Sequence, residues 1–198
     1  MSKTSKRVTL VLLTLFLFGG GYFLAGILGF SGGVPQEFAN SRLQGAIIAQ
    51  NIVRLSGESV LDLAEINRLD QARNYTEALN LAAEVVQRSQ EIRDEAIALS
   101  REVEKMTMAL SEIRSLEARQ AALEAIANRL ALISRLINYS GYLGQLLDIL
   151  GGRFDGSYVS YGEAGRLIDQ INAEVRAINN FNKQATRAME RFDEIVKH

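Results

Sequence analysis

The chain has 198 residues, with 22 Lys and Arg against 23 Asp and Glu, no Cys, no Trp, one Pro and one His, which is His198. This composition excludes disulfides, thiolate nucleophiles and zinc-thiolate sites, and a lone His cannot complete a metal shell or a Ser-His-Asp triad. The net charge of −1 excludes a general nucleic-acid binder, which needs a basic face to neutralise phosphates.

From Val8 to Gln36 there is no charged residue, and the apolar part, Val8 to Phe30, covers 23 positions, enough to span a bilayer as a helix. Its fourteen Val, Leu, Ile and Phe residues each favour insertion by roughly 0.3–0.6 kcal/mol. Lys3, Lys6 and Arg7 precede the segment and the next charges are Glu37 and Arg42, so the positive-inside rule puts the N-terminus in the cytoplasm and the bulk of the chain outside. The expected organisation is a basic cytoplasmic tip over 1–7, an anchor over 8–33 and a periplasmic or extracellular domain over 34–198. A cleaved signal peptide is the competing reading, but no small-x-small triplet stands where a peptidase needs it. Within the anchor, Gly21, Ala25, Gly29 and Gly33 form a small-residue ridge. Such a ridge allows helix pairing in the membrane, although spanning helices are commonly Gly-rich in any case.

After Pro35, well placed at a helix start, the chain contains no further proline. An all-α domain is expected, with helices over about 36–72, 74–113, 116–150 and 160–196. Removing Lys3, Lys6 and Arg7 leaves 19 basic against 23 acidic residues, a net of −4, the mixed surface of a soluble domain rather than a polyanion binder.

In the first helix, Ser56-Gly57 predicts an interruption, with Ser59 and Asp62 recapping a second half. The second opens with Asn74 paired to Glu77 and carries a coiled-coil-like seam of Ile92, Ala96, Leu99, Val103, Met106, Leu110 and Ile113. The third has Leu116, Leu123, Leu130, Ile137 and Gly144 at sevens, with Ile126, Ile133, Ser140 and Leu147 beside them, and Gly151-Gly152 as its expected stop. Ser160 capping towards Glu163 opens the fourth, whose seam from Ala164 through Ile168, Ile171, Val175, Ile178, Ala185, Met189 and Phe192 to Val196 is interrupted only by Asn182. Asn182 reads as a register-setting core polar residue or as a residue at the edge of the core.

Four helices of about 35 residues, roughly 50 Å each, predict an up-down-up-down bundle behind the membrane helix. The alternative is one rod over 74–150, because Ser111 to Glu117 offers neither Gly nor Pro for a turn. The third helix is apolar nearly all round. As a second membrane span it fails, since Arg135 and Asp148 together cost roughly 5–7 kcal/mol near a helix centre and outweigh its Leu and Ile residues. It therefore reads as the centre of the bundle or the face of a homo-oligomer.

In the bundle the connection near Asn74 and Tyr75 shares the membrane-distal tip with the loop Gly151–Gly162, which combines glycines with Arg153, Phe154, Asp155, Tyr158 and Tyr161. These seven side chains form the candidate partner-binding site, with Phe and Tyr as core plugs the plainer reading. No Lys-Ser/Thr pair stands after the glycines, so the loop does not read as a phosphate loop. Glycosylation patterns at Asn74 and Asn138 carry little weight, and the single tetratricopeptide-like stretch Ala72–Leu79 lacks that repeat's other signals. Di-iron chemistry would need Glu-x-x-His pairs, which are missing. The carboxylates Glu91 with Glu95, and Asp94 with Glu102, fall on charged helix faces.

The resulting expectation is a non-enzymatic, membrane-anchored structural, scaffold or accessory subunit. It has no cofactor, metal or nucleic acid, a protein partner or second copy as its binding partner, and a small-molecule ligand undetermined. The alternative is a ligand-sensing four-helix domain that signals through a partner.

Overall fold

The computed structural model describes residues 34–154 and 161–197. Among them the chain forms four long helices, α1 (Gln36–Gln71), α2 (Tyr75–Ala109), α3 (Leu116–Phe154) and α4 (Tyr161–Lys197), with a 3-10 turn at Leu110–Glu112. The expected tip and anchor lie outside the described residues, and no described helix is long and apolar enough to cross a membrane.

Helix α1 starts directly after Pro35, whose carbonyl accepts the Ala39 N–H at 3.1 Å, while Glu37 in the first turn complements the helix dipole. The interruption expected at Ser56-Gly57 does not occur. A mid-helix Gly costs about 1 kcal/mol, whereas each fully buried Leu or Ile returns roughly 1.5–3, and Ile52, Leu55, Leu63 and Ile66 are all buried on this helix. Ser56 and Ser59 are buried too, and the Ser59 hydroxyl donates to the Leu55 carbonyl at 2.8 Å, satisfying itself within the helix.

The turn into α2 is a Schellman closure: Asn74 N–H reaches Leu69 O at 2.9 Å and Arg73 N–H reaches Asp70 O at 3.1 Å. It requires a left-handed residue, and Arg73 supplies it at φ 59°. Asn74 occupies the N-cap of α2, yet its side chain donates to the Glu77 carboxylate and not to a backbone N–H, which corrects the expected capping.

Helix α2 buries Ile92, Ala96, Leu99, Val103 and Met106 as its spacing predicts but ends at Ala109, short of 113. The backbone at Ile113 excludes the rod. It turns extended there, at φ −75° and ψ 114°, and the Ile113 side chain plugs into the core. Its carbonyl accepts the Arg119 guanidinium at 2.8 Å, and Ser115 Oγ accepts the Ala118 N–H at 3.2 Å as an N-cap. Side-chain hydrogen bonds and one apolar anchor thus replace the glycine or proline the turn lacks.

Helix α3 runs through Gly151-Gly152 to Phe154, four residues beyond its expected end, because Phe154 is drawn into the core. Its row at sevens is also reassigned in its first half, while Ile137 packs half-buried against the core. Leu116, Leu123 and Leu130 face outwards, while Ile126, Ile133, Ser140 and Leu147, with Leu136 and Leu143, face the core. Helix α4 buries its predicted seam from Ala164 to Phe192, apart from Asn182, which like the terminal Val196 is only half-buried.

Neighbouring helices run antiparallel. Asn51 bonds Glu95 while Arg88, earlier on α2, bonds Asp62, later on α1; Asn138 bonds Glu174 while Arg191 bonds Glu124. The backbones pack closely between α1 and α2, α2 and α3, and α3 and α4. On the remaining side α1 and α4 meet through long side chains: Phe38 packs on Phe192 with ring centroids 5.2 Å apart, and Arg42 pairs with Asp193. The bundle is four-helical and up-down-up-down, with one side more loosely joined than the others.

Candidate functional site

The two connections expected to share one end of the bundle do so. Tyr75, at the start of α2, stacks on Phe154, at the end of α3, with ring centroids 5.9 Å apart and planes 22° from parallel. Phe154 is only 6% exposed, so it closes the core at this tip and offers no free aromatic face. Tyr75 covers it from outside and Gly151 sits 4.0 Å, measured from where a Cβ would stand, from Leu79. Asn74 is exposed beside them. Asp155 and Tyr158 lie outside the described residues, and Arg153 and Tyr161 are described only as helical backbone. The anchor ridge of Gly21, Ala25, Gly29 and Gly33 likewise falls outside. Asn138, in the second glycosylation pattern, is half-buried and donates to Glu174 at 3.2 Å, and Tyr139 and Ser140 beside it are buried.

Asn182 lines the space between α1 and α4, where a cavity of about 160 Å³ opens. Small residues make its two long walls: Gly45, Ala46 and Ala49 on α1, Ala185 and Thr186 on α4. Leu99, Leu132 and Leu136 close it from α2 and α3. The guanidinium of Arg129 enters from α3, its Nη1 lying 3.8 Å from Met106 Sδ. A Cβ at Gly45 would stand 3.3 Å from Leu99 Cδ1, a tight approach, and 3.7 Å from that same Nη1, an ordinary contact, so the glycine makes room for the Leu99 methyl. Burial, and secondarily the neighbouring Arg42, pull the Arg129 pKa down to about 10. Arg129 is therefore still a cation at neutral pH, held against apolar walls.

The outer face of α3 carries the second feature. Leu116, Leu123 and Leu130 are 67%, 52% and 48% exposed. Exposed Gln120, Ala127, Ser134 and Gly141 stand between and beyond them, with exposed Glu117, Glu124 and Arg135 to one side, and a Cβ at Gly141 or Gly144 would meet nothing. The face is a leucine row interleaved with Gln120, Ala127 and Ser134 and bordered by charged side chains.

Periodicity alone misses both features. Two seven-residue rows lie side by side on α3, and only the positions of α2 and α4 decide which is core. Small residues alternating with the leucines are the one sequence signal that the row faces outwards. Arg129 carries no local mark, because its desolvation comes from three other helices. Among the described residues no group of three His, Cys, Asp or Glu side chains could hold a metal ion. Comparison with family models, with curated proteins and with solved structures finds no match.

Proposed function

We propose that this protein is a single-pass membrane-anchored helical bundle that works as a non-enzymatic structural or accessory subunit, and that it self-associates through the outer face of α3. The exposed row Leu116, Leu123 and Leu130 carries this reading. Leucines every seven residues with Ala127, Ser134 and Gly141 at the intervening three-four positions repeat the spacing of a two-helix seam. The anchor supports it independently. Two copies inserted in the same direction relate by a two-fold axis along the membrane normal, which sets their α3 helices parallel and places each leucine opposite its counterpart. The Gly21, Ala25, Gly29 and Gly33 ridge extends the same pairing into the bilayer.

The cysteine-free sequence makes the test clean. Ala127→Cys in the full-length protein, oxidised in native membranes, should trap a disulfide-linked dimer, whereas Arg93→Cys on the outer face of α2 should not. Leu123→Glu combined with Leu130→Glu should leave the unfolding temperature within a few degrees of the parent while abolishing the cross-link. A monomer mass in detergent together with no cross-link at position 127 would sink the proposal.

A further inference from the structure

Antiparallel packing gathers three parts of the chain at one end of the bundle. Val34 and Pro35 before α1, Glu112 to Ser115 in the α2–α3 turn, and Val196 near the end of α4 line one cleft there. Among the described residues the three most exposed large apolar side chains are Leu61 at 70%, Met108 at 68% and Leu116 at 67%. Two of them flank this turn, Met108 as the penultimate residue of α2 and Leu116 as the first of α3. A single exposed leucine needs no explanation, but a turn in water is normally built from small and polar residues. Here methionine and leucine stand on both shoulders of the turn, at the end of the bundle from which the N-terminal segment departs.

The covalent connection supplies the second observation. Phe30 closes the apolar run and is four residues before Val34, and four extended residues span at most about 14 Å. The headgroup layer on each side of the hydrocarbon of a bilayer is roughly 5–8 Å thick. With the apolar run across a bilayer, the turn that shares a cleft with Val34 is therefore held at or just above the headgroups. Charge names no other partner. Exposed Glu112 and Glu117 offset exposed Arg114 and Lys197, so this end has no basic excess that calls for an anionic lipid or a polyanion.

On the proposed reading of 8–33 as an anchor, we infer that the α2–α3 turn is a second membrane contact, with Met108 and Leu116 entering the headgroup layer of a zwitterionic phospholipid bilayer. Apolar side chains gain by leaving water for the boundary between headgroups and acyl chains, and Arg114 keeps its guanidinium among the phosphates while its alkyl stem follows the apolar groups. One covalent joint leaves a bundle free to tilt on the membrane, whereas a second contact, made by a different pair of helices, fixes the tilt. Leu116 also opens the outward row of α3, so the lipid contact and the proposed pairing face meet at this residue.

The test uses the full-length chain in phosphatidylcholine vesicles, with a single introduced Cys labelled with bimane and read by quenching from phosphatidylcholine that carries a nitroxide on its acyl chain. Ser111→Cys reports on the turn, Gln71→Cys on the opposite end of the bundle, roughly 50 Å away, and Thr14→Cys on the apolar run. A nitroxide placed high on the acyl chain should quench the label at position 111 strongly and the label at position 71 not at all. Met108→Glu combined with Leu116→Glu should lower the quenching at position 111 to the level at position 71 and leave the unfolding temperature within a few degrees of the parent, since both side chains are mostly exposed. A label at position 14 quenched from deep in the acyl chains, with none at position 111, would overturn the second contact and leave the anchor standing. No quenching at position 14 would remove both. Unchanged quenching in the double variant would mean that the tether alone brings the turn near lipid, and quenching that appears only with added phosphatidylserine would mean that charge makes the contact; either overturns the roles given to Met108 and Leu116.

Discussion

Arg42, in the second turn of α1, and Asp193, in the last turns of α4, are 151 positions apart and meet in a two-pronged ion pair, with N–O distances of 2.5 and 2.6 Å. The arginine side chain is 4% exposed and the aspartate 18%. Beside the Phe38 and Phe192 rings, this pair joins the side of the bundle where the backbones stand furthest apart. Removing one partner strands a buried charge, so Asp193→Leu should destabilise by roughly 3 kcal/mol, the lower end for a buried pair because Asp193 keeps some water. Arg42→Met should cost less, since it also relieves Arg129. The double variant Arg42→Met with Asp193→Leu should fall within about 1 kcal/mol of the parent. Denaturant unfolding measures all three, and strict additivity would mean that the pair carries no coupling.

The α2–α3 turn should respond in a graded way. Ile113→Ala removes its core anchor and should cost roughly 2–4 kcal/mol. Ser115→Ala, which removes only the N-cap, should cost about 1 kcal/mol, and Arg119→Ala, which frees the Ile113 carbonyl, about as much. Equilibrium unfolding that ranks Ser115→Ala above Ile113→Ala would mean the turn is held locally and not by the core.

Arg73 is the one described residue other than glycine at positive φ. A left-handed conformation costs an L-residue roughly 1–2 kcal/mol, and glycine none of that. Arg73→Gly should therefore stabilise by about 0.5–1 kcal/mol after the extra chain entropy of glycine is counted, and Arg73→Val should destabilise by more than about 1 kcal/mol. Paired thermal melts of the two variants test the sign directly.

Tyr139 is buried in the middle of α3, and burial pushes its phenol up to about 12 from the usual value near 10. Because the folded value is the higher one, the folded state holds the proton longer. The associated stability is fully present below pH 10 and drains away as pH rises from 10 through 12. Tyr139 should ionise above the ordinary phenol range in an ultraviolet phenolate titration of the folded protein. Tyr139→Phe should delete that late step and flatten the loss of stability over the same interval.

How much of this was legible varied from helix to helix. The α4 seam could be read directly because polar and charged residues dominate the positions between its apolar ones, leaving a single face to bury. Helix α3 could not, since the Leu116 row and the Ile126 row are equally apolar and a helix has no local way to mark which side its neighbours occupy. Breakers misled for a related reason. Ser56-Gly57 and Gly151-Gly152 carry a local penalty of about 1 kcal/mol per glycine, and burial of Leu55 and Leu63 in one case and Phe154 in the other exceeds it. At the tip where α2 begins and α3 ends, the nearness of Tyr75 to Phe154 could be inferred from helix lengths and an aromatic core plug was the plainer reading; packing decided that Phe154 takes that place.

Helical content, the matched lengths of the apolar segments and the charge-free run from Val8 to Gln36 are properties of consecutive residues, and the sequence determined them by itself through periodicity, hydropathy and the absence of proline. The tertiary structure alone decided the turn at Ile113, the outward direction of Leu123 and Leu130, the Arg42–Asp193 pair and the chamber at Arg129. Each of these depends on a comparison between helices: which of two equal faces meets a neighbour, how far apart two backbones stand, and which charge loses its water. Such quantities have no value until the four helices are assembled.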